Sequence, residues 1–94
     1  MKAVSAKTAA RDRRYAIDRV EFLEANPICG ALLEGCRWIS TEVHHKAGRL
    51  PSVFFRQDLW LAVCWSCHHR ITTEPAMAFE RGLSVHRNQV REVA

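Results

Sequence analysis

The chain has 94 residues, 48% of them apolar and 26% charged, with four Gly and three Pro, which excludes a collagenous or wholly disordered protein. One domain of this length is near the lower limit at which a hydrophobic core alone stabilises a fold, and no apolar run approaches the ~18 residues of a membrane span. The formal charge of +4 points toward an anionic partner. The segment from Met1 to Arg11 starts basic but has no uninterrupted apolar stretch, unlike a secretory signal. A reducing cytoplasm is the expected compartment, where four cysteines in a short chain favour metal binding over disulfides.

From about Thr8 to Ala25 the residues favour a helix, with Tyr15, Ile17, Val20, Phe22 and Leu23 among good helix formers and neither Gly nor Pro. Asn26-Pro27 ends it. A broad apolar face is expected to dock on the rest of the domain, leaving Arg11, Arg14 and Arg19 outward. Residues 1–20 carry six Lys or Arg against two Asp, residues 21–36 carry three Glu alone, and residues 37–70 carry five Lys or Arg against two acids. Two basic segments divided by an acidic one suit a polyanion approached by an N-terminal arm or helix and by a central element.

Cys29 to Cys36, containing Gly30 and Gly35, reads as a metal-binding turn. Arg37 to Val43 is β-prone and runs up to His44-His45. Lys46 to Phe55 reads as a loop, and Leu59 to Val63 as a second strand entering Cys64. A helix is expected to begin near Cys67 and reach Ile71 or Thr72. A second runs from Glu74 to Arg81, with Pro75 in its first turn and Gly82 as its stop. From about Val85 the residues read as a polar, mobile tail. Trp38, Trp60 and Trp65 are expected to pack inside.

Six residues separate Cys29 from Cys36, and two separate Cys64 from Cys67. Two short loops that each deliver two thiolates satisfy the tetrahedral preference of zinc. Zinc binding would add roughly 10 to 16 kcal/mol to a small core. If the ion joins these loops, His44, His45 and His68 are expected to converge beside it, where neutral imidazoles bind a divalent ion or take a proton from water. His69 and His86 read as surface side chains. Cys64-x2-Cys67-His68 also fits covalent haem attachment, but that reading leaves Cys29 and Cys36 unexplained.

Together the runs Cys29-x6-Cys36, Thr41-Glu42-Val43-His44-His45-Lys46-x-Gly48-Arg49, Trp60-Leu61-Ala62-Val63-Cys64-x2-Cys67-His68 and Pro75-x2-Ala78-x3-Gly82 resemble the small HNH endonucleases of phages and prophages. The resemblance covers about residues 15–83. It implies an α+β fold, a zinc-stabilised ββα-metal finger with an N-terminal and a C-terminal helix. The chain then divides into a basic arm and helix (1–26), a zinc-stapled finger (27–83) and a polar tail (84–94), all one domain. The implied structural zinc ligands are Cys29, Cys36, Cys64 and Cys67. The implied catalytic cation, Mg2+, Mn2+, Ni2+ or Zn2+, is held by His44 and His68, with His45 as the general base.

The implied activity is hydrolysis of DNA phosphodiester bonds in a bacterial host cytoplasm. Lys46, Arg49 and Arg70 would contact phosphates near the centre, and Arg11, Arg13 and Arg14 would do so further out. The alternative is a non-catalytic zinc-stabilised module that binds DNA or serves phage packaging proteins. Two features strain the match. The middle Asn of the motif falls at Leu59, leaving Gln57, Asp58 or the Leu59-Trp60 pair to brace the loop. Adjacent residues of an extended strand also point to opposite sides, so His44 and His45 need a turn, a bulge or separate duties.

Overall fold

The computed structural model describes residues 5–90; Lys2 of the basic arm and residues 91–94 of the tail lie outside them. The first N–H groups of a helix need acceptors, and the Ser5 hydroxyl supplies one, accepting from the Thr8 N–H at 3.1 Å. Helix α1 follows over Ala6–Ala25. Asn26 closes it through its backbone N–H, bonded to the Phe22 and Leu23 carbonyls, and Pro27 cannot continue it. The docking face is narrower than expected. Tyr15 and Phe22, two turns apart, pack inward, while Ile17 is 62% and Val20 48% exposed. Arg19 does not face outward freely, because its guanidinium donates to the Thr41 carbonyl at 2.9 Å and ties α1 to the first strand.

Strands β1 (Glu42–His45) and β2 (Trp60–Val63) pair antiparallel, with Glu42 opposite Val63 and His45 opposite Trp60. Arg37 to Ile39 is not strand, despite its β-prone residues. The Cys29 N–H bonds the Trp38 carbonyl, Trp38 adopts a φ of +70°, and Ile39 forms only an isolated bridge with Ile28. The cysteine loop folds back on itself there and overrides strand propensity. Leu59 ends a short 3-10 turn, Gln57–Leu59, just before β2.

Helix α2 (Trp65–Thr73) starts at Cys64, whose Sγ accepts from the Cys67 N–H at 3.4 Å. Helix α3 (Pro75–Glu80) has Pro75 in its first turn, and Gly82, at a φ of +73°, lets the chain reverse. The following segment is not a loose tail. Val85 donates its N–H to the Lys46 carbonyl at 2.9 Å, and the His86 ring lies flat on Phe79 at a centroid distance of 4.0 Å. A further 3-10 turn spans Arg87–Gln89.

The result is a small α+β structure with a two-stranded sheet and, among the described residues, three α-helices. Cys29, Leu33, Val63, Cys64, Cys67, Ile71 and Ala78 form one core cluster. An aromatic group of Tyr15, Phe22, Phe54 and Trp60 holds α1 against the other side of the sheet. Of the tryptophans only Trp60 is buried; Trp38 and Trp65 are more than half exposed, on the outside of the cysteine loop and in the first turn of α2. No helix of the described residues is long and apolar enough to cross a membrane.

Candidate metal centre

Four sulfurs around one zinc at about 2.3 Å sit roughly 3.8 Å apart. Here the Sγ atoms of Cys29, Cys36, Cys64 and Cys67 all lie within 4.8 Å of one another, and Cys36 and Cys64 are separated by 3.9 Å. All four are free thiols. Among the described residues this is the one group of three or more His, Cys, Asp or Glu side chains placed to hold an ion.

The loops meet because Gly30 runs tight against β2, its N–H on the Ala62 carbonyl at 2.7 Å, where a side chain would strike Leu61. Backbone N–H groups of Arg37 and Cys67 point at the Cys64 sulfur. Burial alone would raise the Cys64 thiol, but these donors bring it down to about 7. Burial, with the neighbouring sulfurs adding to it, pushes Cys67 up to about 12. Sulfurs this close are placed to hold a cation once they give up their protons, and the donor set is compatible with zinc.

The cysteine core also aims α2 at the sheet. The His68 N–H bonds the Cys64 carbonyl at 3.0 Å, which seats His68 in the first turns of α2, opposite β1. Its ring lies edge-on to His44, with centroids 5.4 Å apart. His44 Nε2 is 3.0 Å from the Ser84 hydroxyl, and His68 Nδ1 is 2.6 Å from Glu42 Oε1. Burial first, and then the nearby His68, lowers the His44 pKa to about 4, so its ring is neutral, the form that ligates metals. His44, His68 and Glu42 thus share one side of the sheet, with Glu42 engaged by His68.

His45 does not join them. On β1 the side chains alternate, with Val43 and His45 buried and Glu42 and His44 partly exposed. His45 is 7% exposed, stacked on Phe54 at 5.1 Å and flanked by Tyr15 and Trp60. Both its ring nitrogens are buried without a hydrogen-bond partner. Burial, followed by the Arg49 charge, lowers its pKa to about 4. Of the three histidines, the structure brings His44 and His68 into ring contact and leaves His45 on the opposite face of β1, with no turn or bulge to bring it around.

Near Leu59 the bracing comes from Trp60, one of the candidates named from the sequence. The Trp60 indole N–H bonds the Phe54 carbonyl at 2.9 Å, fixing the β1–β2 loop over His45. Asp58 instead pairs with Arg56 at 2.7 Å, and Gln57 is exposed.

Several cations expected at a phosphate backbone gather where α1 meets this loop. Arg11 lies over Phe54 at 5.0 Å and Arg14 over Phe55 at 4.1 Å, while Arg49 is 5.9 Å from Tyr15. Arg13 is exposed. Lys46 lines a hollow of about 460 Å³ with His45, Gly48, Ser84, His86 and Arg87. Arg70 serves elsewhere: it donates to Glu74 at 2.9 Å and to the Glu34 carbonyl at 3.4 Å, bracing the cysteine loop.

Sequence reading did not single out Glu42, Ser84 or Arg87. The two-residue period of β1 already places Glu42 on the His44 face, whereas no local signal brings Ser84 to His44 or Arg87 to the Lys46 hollow. No family model, curated protein or solved structure matches the chain.

Proposed function

We propose that this protein is a divalent-metal-dependent endonuclease of the HNH type that hydrolyses DNA phosphodiester bonds, with a structural zinc on its four cysteines. The observation that carries the reading is the facing pair His44 and His68, 5.4 Å apart between β1 and the helix that follows β2. Beside it lies the four-cysteine cluster that seats that helix. These are the two histidines that the family resemblance assigns to the cation. A bound divalent ion would stabilise charge on the scissile phosphate and the departing oxygen. His44 and His68 would hold it, Lys46 and Arg87 would approach phosphate oxygens from the adjoining hollow, and Arg11, Arg14 and Arg49 would carry the duplex further along.

A general base must be neutral, and His45 is, but its nitrogens are covered by the aromatic group. Under this reading His45, which borders the Lys46 hollow, acts as base only once one of its ring nitrogens meets water. The same burial favours a second reading, a non-catalytic zinc-stabilised module that binds DNA, or phage packaging proteins, through the basic face.

Plasmid cleavage with Mg2+, Mn2+ and Ni2+, run beside His68→Ala and His45→Ala, separates them. The nuclease reading expects metal-dependent cutting that both substitutions abolish while the fold persists. Loss in His68→Ala alone removes His45 from the mechanism. Plasmid binding by the parent without cleavage under any of these ions would favour the binding module.

A further inference from the structure

Glu42 belongs to no motif histidine pair, yet it reaches the centre. It stands on β1 on the same face as His44, and the register opposite Val63 fixes its height on the sheet. His68 arrives from the other direction, set by the Cys64 cap of α2. The two meet with Glu42 Oε1 2.6 Å from His68 Nδ1, the side chains 39% and 27% exposed. An ionised carboxylate accepts hydrogen bonds and cannot donate, so Nδ1 must carry the hydrogen. In a neutral imidazole the lone pair is then on Nε2.

We propose that Glu42 is the positioning residue of this centre: it holds His68 as the Nδ1–H tautomer, fixes the ring's rotation and leaves Nε2 to take a divalent cation. The inference rests on reading His44 and His68 as a metal-binding pair. Such a carboxylate partner also makes the imidazole a stronger donor to the ion, and losing one typically weakens metal affinity roughly 10- to 100-fold. Thr72, one turn beyond His68, is not the partner, since its hydroxyl donates back to the His68 carbonyl at 2.9 Å.

The test uses the full chain with zinc on its cysteines. Long-range 1H–15N spectra of the histidine rings are expected to show His68 protonated at Nδ1 in the parent and mainly at Nε2 in Glu42→Ala. Glu42→Gln should largely keep the parental pattern, because its amide oxygen can accept the same bond. Titration with Mn2+, followed by broadening of the His44 and His68 ring signals, should show affinity falling roughly 10- to 100-fold in Glu42→Ala and less in Glu42→Gln. Zinc content and melting temperature should stay at parental values.

An Nε2–H tautomer in the parent, or no change in tautomer and Mn2+ affinity in Glu42→Ala, would reduce the contact to a surface ion pair and overturn the proposal. If the tautomer follows Glu42 but the parent binds no Mn2+, the hold on the ring stands while its delivery of Nε2 to a cation is overturned, together with the catalytic reading.

Discussion

Leaving a buried polar group without a hydrogen bond costs about 1–3 kcal/mol, and His45 has both ring nitrogens in that state. Phenylalanine fills similar space among Tyr15, Phe54 and Trp60 without polar atoms, so His45→Phe is expected to raise stability at pH 7.5 by about 1–2 kcal/mol. It should also change the acid response. The folded pKa of His45 is about 4 against an ordinary value of 6.5. Between those values the unfolded chain binds a proton that the folded chain refuses, so stability falls as pH drops from 6.5 toward 4. The full effect of His45 is on the order of 3 kcal/mol. Urea unfolding at pH 7.5 and pH 5 should show a smaller acid loss in His45→Phe than in the parent, the difference cancelling His44 and the cysteines. Equal losses would mean that His45 exchanges protons freely in the folded protein. The alternation of His44 and His45 was legible in the sequence; which of them α1 would cover was not, because Tyr15 lies thirty residues from His45.

At the scale of elements, the strong local signals carried through and the weak ones yielded to the cysteine loop. The body and end of α1, the strand entering Cys64 and the Pro75–Glu80 helix stopped before Gly82 follow from propensity and breakers. Arg37 to Ile39 did not become strand, since the turn joining Cys29 to Trp38 uses its backbone, and the docking of Val85 on Lys46 has no signature in either segment. The β1–β2 loop shows how one side chain organises such a segment. Its Phe54 carbonyl is bonded by the Trp60 indole, and Phe54 in turn covers His45 and meets Arg11. Trp60→Phe keeps an aromatic ring but removes that donor, leaving a buried carbonyl unpaired. A loss of about 1–3 kcal/mol is expected in urea unfolding. Faster hydrogen exchange should appear in the amides of residues 52–56, with α2 unchanged. Parental exchange in the loop would mean that packing alone holds it.

Over the whole molecule, two features act together: a basic face where α1 meets the β1–β2 loop, and a core built partly from cysteines placed to hold a metal. If Arg11 and Arg14 each neutralise a duplex phosphate, Arg11→Gln with Arg14→Gln should reduce the salt slope of DNA binding by about 2, near 0.9 per contact. An unchanged slope would remove them from the interface. The cysteines raise a different question, because Cys29, Cys64 and Cys67 are three of the seven residues of the core cluster. In a larger protein a zinc loop can be lost while the rest stays folded. Here the same side chains would carry the ion, and they also cap α2 and fill the space between the cysteine loop and the sheet. Stripping the metal leaves buried thiols with nothing to join them and releases the first turn of α2 with His68 on it. A chelator is therefore expected to abolish the cooperative thermal transition rather than shift it by a few degrees, and added zinc should restore it. Cys64→Ser should resemble the chelated parent whether or not zinc is present, as followed by circular dichroism and bound-metal analysis. If Cys64→Ser melts like the parent, or chelation leaves the transition in place, the hydrophobic cluster stabilises the chain alone and the cysteines are incidental to the fold.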